Sequence, residues 1–359
     1  MSVLYRFHFY FTAVLTAALC IFLTITTENV AENVKHSLEV CLSVIIPSLF
    51  SFMVLSLFML KSGVSRIVTK PLYLISKHWF KFGETIFSIF IISLFGGYPT
   101  GVKLLKEYSS IYPNNMTAAT KALSFCYCGN PSFIITIIGL QVFGSVHIGF
   151  LIYLSNVLAS ISICIFVNIR EKKQIVTFSE NSYIAKTSFS TLASCIKDTL
   201  TALSIICGTI ISFNVILELI VKYIPDNNIV LYIKSITEIS NASSFVSSNN
   251  LIPFFSALTS FGGLCILVQT VALSENKFSL KLFFMLRIPA ALLSMAFSSL
   301  LIFFFNPVSE AAAYSGETRL VLSEYSPICS ICLIMMVYIL LKWQKQNEKN
   351  TGKTKQDVI

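Results

Sequence analysis

Residues 85–104 read TIFSIFIISLFGGYPTGVKL. The apolar part, 85–95, covers only about half of the ~20 residues that a helix needs to cross a bilayer core. It stops at Gly96-Gly97-Tyr98-Pro99. Glycine ends a helix by adopting left-handed backbone. Proline fits the first turn of the next helix, where its missing N–H had no partner. The stretch therefore predicts one helix ending at Gly96-Gly97 and a second starting near Pro99, with Thr100 in its first turn. The new N-terminus carries unpaired N–H groups and a partial positive charge that attracts anions. Such groups are costly in hydrocarbon, so they should face protein or a cavity. A tight turn between two ordinary helices would use the same residues, and the rest of the chain has to decide.

Outward from this stretch the chain is apolar from end to end. Hydrophobic residues make up 55% of 359 positions and charged residues 12%, with a mean hydropathy of +0.77. A soluble domain carries about 25% charged residues, so too few remain here to coat a water-facing globule. Apolar runs of span length lie at 38–60, 148–169, 200–221, 251–273, 282–305 and 328–341, with a first one at 7–26. That first run is read as an uncleaved span because no small-x-small site precedes Glu28; a cleaved signal peptide is the other reading. The run at 118–141 is long enough to span but is broken at Gly129-Asn130-Pro131.

The net charge of +9 is spread over short loops beside apolar runs and does not point to nucleic acid. Basic loops mark the cytoplasmic side. Lys61–Lys81, Arg170–Lys197, Lys277 to Arg287 and the Lys-rich tail after Lys342 are therefore placed inside. The acid-rich stretches 28–35 and 310–324 are placed outside. Two inside loops must be joined by an even number of crossings. The runs 118–141 and 148–169 supply two, so 85–110 must enter and return on the same side. By the same count 230–248 must enter and leave from outside.

The expected fold is an all-α polytopic membrane protein with about eight transmembrane helices and two re-entrant hairpins. Both termini lie in the cytoplasm. The units 38–143 and 198–273 are related by inversion, the layout of many secondary transporters. The organisation reads as an N-terminal helix and outer loop (1–37), a first repeat (38–169), a cytoplasmic linker (170–197), a second, inverted repeat (198–305), and an outer loop, last helix and basic tail (306–359).

Polar residues cluster at the interruptions. In Tyr127-Cys128-Gly129-Asn130-Pro131-Ser132, Pro131 removes a backbone donor and Gly129 and Asn130 weaken the helix. A Pro kink packed against neighbours is the plain alternative. In the second half, Glu238 with Ser240 and Asn241 falls in the outer hairpin, and Gly262-Gly263 interrupts the next span two turns before Gln269. A carboxylate at membrane depth needs a partner or water; in an ordinary loop Glu238 would need neither. Lys103 follows the Gly-Gly-Tyr-Pro turn by about one helical turn. It either adds its charge to the helix N-terminus or snorkels to the cytoplasmic interface.

Residues Ile46-Pro47-Ser48-Leu49, Gly96 to Leu104, Leu123-Ser124-Phe125, Pro131-Ser132-Phe133-Ile134 and Val142-Phe143-Gly144-Ser145 together resemble the sporulation integral membrane proteins of the YlbJ type. That family belongs with the nucleoside-recognition, or gate, domain proteins. Glu238-Ile239-Ser240-Asn241, Phe261-Gly262-Gly263, Gln269 and Arg287 are similar to its second half. The resemblance covers roughly 38–290. It implies transport of dipicolinic acid, a small dianion, during endospore formation, in the mother-cell-derived membrane around the forespore. It also implies kinship with concentrative nucleoside transporters. The chain departs from the family pattern at Gly96, where Ser is common, and at Tyr127-Cys128 and Gly129-Asn130.

The leading expectation is a transporter of a small organic anion in the cell membrane. Its substrate-binding candidates are Gly96, Gly97, Tyr98, Pro99, Thr100, Lys103, Gly129, Asn130, Pro131, Ser132, Glu238, Ser240, Asn241, Gly262, Gly263 and Gln269. A nucleoside-like solute and a non-transporting sporulation scaffold or sensor are the alternatives; the scaffold requires no polar cavity. An enzyme is not expected, since the four His are isolated and no nucleophile–base pair or HExxH pattern appears. No cofactor, metal or nucleic-acid partner is expected. The ten Cys are scattered, and Cys329-x-x-Cys332 lacks a second pair. An oligomer fits the sequence as well as a monomer does.

Overall fold

A computed structural model describes residues 27–76, 80–170, 189–221, 224, 228–245 and 249–305. The expected spans at 7–26 and 328–341, the outer loop at 310–324, the basic tail and Cys329-x-x-Cys332 lie outside the described residues.

All regular elements among them are helical. Helix α1 (Thr27–Val40) passes through a π turn at Cys41–Ile45 into α2 (Ile46–Lys61). Pro47 has no N–H to return to the preceding turn, and the ladder widens just before it. Then come α3 (Val64–Ser76), α4 (Glu84–Gly96), α5 (Tyr98–Ile111) and α6 (Met116–Ala122). Irregular chain at 123–130 leads to α7 (Pro131–Phe133), which continues as a π helix over Ile134–Val142. The second half holds α8 (Val146–Arg170), α9 (Phe189–Val221), α10 (Asn228–Thr237) and a 3-10 turn at Ile239–Ser244. It ends with α11 (Ile252–Phe261), α12 (Gly263–Ser274) and α13 (Lys281–Phe305).

Among the described residues five helices are apolar and long enough to cross a membrane: Val30–Lys61, Val146–Ile169, Phe189–Glu218, Ile252–Ser274 and Lys281–Phe305. These are five of the expected spans, and the chain is an α-helical, multi-pass membrane protein. Helix α13 shows how its two faces divide. Ile288, Leu292, Phe303 and Phe304 point outward, while Phe283, Ala290, Ser294 and Ser298 are buried. An outer face this apolar would be costly in water. Such a face suits the hydrocarbon of a bilayer, and the small polar inner face lets helices approach closely.

Two boundaries differ from expectation. The stretch 28–35, read as an outer loop, is helical and continuous with the span that follows. Its partner is α9, where Asn214 donates to the Ser37 hydroxyl at 3.0 Å. The linker read at 170–197 is shortened, because α9 begins at Phe189. Its first turns are held by Lys61, which reaches Ser194 at 3.0 Å, Asp198 at 2.9 Å and Glu107 of α5 at 3.4 Å. Those charges made 189–198 look like loop, whereas they are the polar end of a long helix.

The packing is reciprocal. Helix α5, the return arm of the first hairpin, packs on α12, the second part of a broken span. The 3-10 turn at Ile239–Ser244 packs on the π helix Ile134–Val142, the second part of the other broken span. Between α8, α11 and α13, Asn156 donates to Thr259 at 2.8 Å. Ser294 donates to Asn156 at 3.2 Å and lies 2.7 Å from the Ser256 hydroxyl. This buried network pairs its own members and locks the three helices.

Candidate functional site

The site is made from four interruptions in otherwise apolar helices. The first is the hairpin tip. Gly97 has φ +83° and ψ 172°, a conformation essentially restricted to glycine. It ends α4 and starts α5, with Pro99 in the first turn. Thr100 closes the turn: its hydroxyl donates to the Gly96 carbonyl at 2.7 Å and its N–H to the Gly97 carbonyl at 3.1 Å.

The second interruption is wider than the Gly129-Asn130-Pro131 break alone, running from Leu123 to Asn130. Unwound backbone exposes carbonyls that need donors. Arg287 donates to Ser124 O, and the Ser160 hydroxyl faces Tyr127 O at 3.5 Å. Asn130 then caps the restarted helix, its side-chain oxygen accepting from Ser132 N at 2.7 Å. This is the ordinary chemistry of an Asn N-cap before Pro at the first position.

The third interruption is at Glu238, between α10 and the 3-10 turn. One carboxylate oxygen accepts from Ser240 N at 3.2 Å. The other has no hydrogen-bond partner, and the residue is 2% exposed. Glu238 is therefore not in an ordinary surface loop. The fourth is at Gly262, φ +91°, between α11 and α12. Its missing Cβ leaves the space that the Tyr127 hydroxyl occupies. That hydroxyl donates to Phe261 O at 3.2 Å, and the Tyr98 hydroxyl donates to Thr259 O. Two tyrosines of the first half thus satisfy carbonyls freed by the break in the second.

A cavity of about 60 Å³ lies where the interruptions meet. It has room for a handful of water molecules, at about 10–15 Å³ each on this measure. Its polar wall is Ser48, Tyr98, Asn130, Glu238, Ser240 and Gln269; its apolar wall includes Ile45, Leu49, Ile206, Ile210 and Ile266. The positions 45–49, 206–210 and 266 fall near the middle of their candidate spans. Among the described lining residues Glu238 is the single acidic or basic side chain.

Of the residues expected to bind substrate, Gly97, Tyr98, Pro99, Asn130, Glu238, Ser240 and Gln269 line the cavity. Gly96, Thr100, Gly129, Pro131, Ser132, Gly262 and Gly263 build the interruptions without lining it. Asn241 turns away and donates to Asn214 at 3.1 Å. Lys103 is buried along α5, and the charged groups around it are Lys106, Glu107, Asp198 and Glu275. It does not line the cavity. Beyond this arm, Glu275 follows α12 and pairs with Lys106, whose hydrogen bond holds the carboxyl below its ordinary value.

Arg287 was read as a loop charge, and that reading is corrected. It is 2% exposed inside α13, with its guanidinium 4.5 Å from the Tyr127 ring centre and 4.8 Å from that of Phe283. The signal was present: a lone charge inside an apolar run of span length. Ser48 was missed as a lining residue, and a single Ser on an apolar helix gives no such signal. Among the described residues no cluster of three or more His, Cys, Asp or Glu is placed to hold a metal ion.

No family model matches the chain, and no curated protein or solved structure matches it either.

Proposed function

We propose that this protein is a membrane transporter of a small organic solute that binds where the four helix interruptions meet. The observation that carries the reading is the reciprocal packing: each hairpin lies on the broken span of the other half, and between them lies a cavity whose largely apolar wall carries Asn130, Glu238, Ser240 and Gln269. A rigid scaffold has no use for four helix breaks, three of them directed by glycine or proline, around a mid-span cavity that holds a buried carboxyl. A transporter needs them, because interrupted helices bring backbone donors and acceptors to the middle of the bilayer. On this reading 38–143 and 198–273 are inverted repeats, the chain crosses about eight times, and both termini are cytoplasmic.

The resemblance to the YlbJ type makes dipicolinate the first solute to test, in the membrane around the forespore. Asn130 and Gln269 bring side-chain amides to the cavity wall, and the start of α5 brings backbone donors beside them. A nucleoside offers more hydroxyls and less charge, and is the competing solute. The test is uptake of labelled dipicolinate and labelled uridine into vesicles containing the purified protein. Dipicolinate uptake that falls at least about tenfold in Asn130→Ala and Gln269→Ala is the expected result; a tenfold loss is about 1.4 kcal/mol of binding. Uptake of neither solute above empty vesicles would defeat the reading for these substrates.

A further inference from the structure

Glu238 presents a charge problem that the transport reading leaves unsolved. Its carboxyl is buried in the cavity wall, and one of its oxygens has no partner. The groups around it come from every element packed there. The Cys265 thiol of α12 stands beside it. Cys41, which itself touches Cys207 of α9, lies next to that pair, and Tyr98 comes from the hairpin tip. The π helix Ile134–Val142 brings no titratable side chain. On its own helix, Lys234 is held by Glu218 of α9 at 3.1 Å. Arg287 lies behind Tyr98 and Tyr127, whose rings are tilted at 50° with centres 4.8 Å apart, and is turned to Ser124 O. No cation among the described residues faces the carboxyl.

The Ser240 N–H and hydroxyl and the Cys265 thiol are neutral donors to it; a buried carboxylate with no cation to balance it is disfavoured, and such groups take a proton instead. The proton would also give the unpartnered oxygen a hydrogen to donate into the cavity. We propose that Glu238 holds a proton when solute is bound and that one proton crosses with each solute. This rests on the transport reading above and supplies its coupling ion. An anionic solute and an ionised Glu238 would repel each other across a cavity this small; protonation turns the repulsion into a hydrogen bond. The proton passes from water on the entry side to the carboxylate, and returns to water on the exit side after the solute leaves. No bond to the solute forms or breaks.

Two measurements test this. Infrared spectra of the purified protein in lipid nanodiscs should show, with dipicolinate bound at neutral pH, the C=O stretch of a protonated buried carboxyl. The band should vanish in Glu238→Gln and shift in Glu238→Asp, which keeps a carboxyl. In vesicles, an inward proton gradient at zero membrane potential should concentrate dipicolinate about tenfold per pH unit, as one coupled proton requires. Glu238→Gln should lose the gradient-driven accumulation, and Glu238→Asp, which keeps a titratable carboxyl, should retain part of it. An ionised Glu238 with dipicolinate bound at neutral pH, or undiminished accumulation in Glu238→Gln, overturns the proposal. If the wild-type protein moves neither dipicolinate nor uridine, the transport reading fails; if it moves dipicolinate but a proton gradient does not concentrate it, the transport reading stands and this proposal fails.

Discussion

Gly97 rests against Asn130: a side-chain carbon built on Gly97 would stand 3.0 Å from the Asn130 Cβ and 3.4 Å from its backbone nitrogen. The tip of one hairpin therefore touches the restart of the broken helix. Both the contact and the φ of +83° exclude a side chain there. Gly97→Ala should cost about 1–3 kcal/mol, the range for a non-glycine residue forced into such backbone. Gly208 is the control, since an added Cβ there meets nothing within 4 Å. Gly208→Ala, in the interior of α9, should be neutral or stabilise by up to about 1 kcal/mol. Thermal unfolding of both variants in detergent checks the contrast, and equal behaviour would refute it.

Asn130 carries two tasks that substitution separates. It caps the helix restarted at Pro131 and it lines the cavity. Asn130→Ser keeps a capping oxygen and should leave stability within about 0.5 kcal/mol, whereas Asn130→Ala should lose about 1 kcal/mol. Both lose the side-chain amide donor, so both should weaken dipicolinate uptake. Uptake that follows stability across the pair would argue that Asn130 only caps.

Arg287 is held by a backbone carbonyl and two aromatic faces in place of a carboxylate. Arg287→Met keeps the apolar stem and removes the charge, leaving Ser124 O without its donor. Loss of a charged hydrogen bond and of a buried cation–π contact should destabilise by about 2–4 kcal/mol. Arg287→Lys should recover part of that loss. Chemical denaturation of the three proteins tests the order wild type, Lys, Met.

Much of this could be read in the sequence, because its signals were local. Gly96-Gly97-Tyr98-Pro99 ends and restarts a helix wherever it stands, and the chain does so between Gly96 and Tyr98. The five described long spans were legible from apolar length alone. What failed depended on contacts between distant residues. The unwinding of 123–130 extends well before Pro131, and a distant partner, Arg287, supplies a donor to it. The early start of α9 was hidden because Lys197 and Asp198 read as loop until Lys61 is seen to pair with Asp198. Lys103 stands one turn past the tip, as spacing required, yet sequence spacing gives no direction for its side chain.

The Lys106–Glu275 pair joins the return arm of the hairpin to the end of α12. The carboxyl is held below its ordinary value, so the pair stabilises above the ordinary Glu range. That contribution is lost as pH falls through the lowered value. Both groups lie near the surface, so the effect should stay under about 1 kcal/mol and shrink in salt. Unfolding of wild type and Lys106→Gln as a function of pH should converge at acid pH and separate near neutrality; a constant gap would contradict it.

The most direct test of the account is whether the cavity opens to both sides of the membrane. Ser240 lines it beside Glu238. In a chain whose ten native cysteines are replaced by alanine, Ser240→Cys is treated with a membrane-impermeant maleimide. Reagent is applied from outside intact cells and, separately, to inside-out vesicles. Alternating access predicts labelling from both sides, each slowed by bound dipicolinate, while a cysteine on the outer face of α13, Leu292→Cys, stays unlabelled. Labelling of Ser240→Cys from one side only, or from neither, would contradict transport through this cavity.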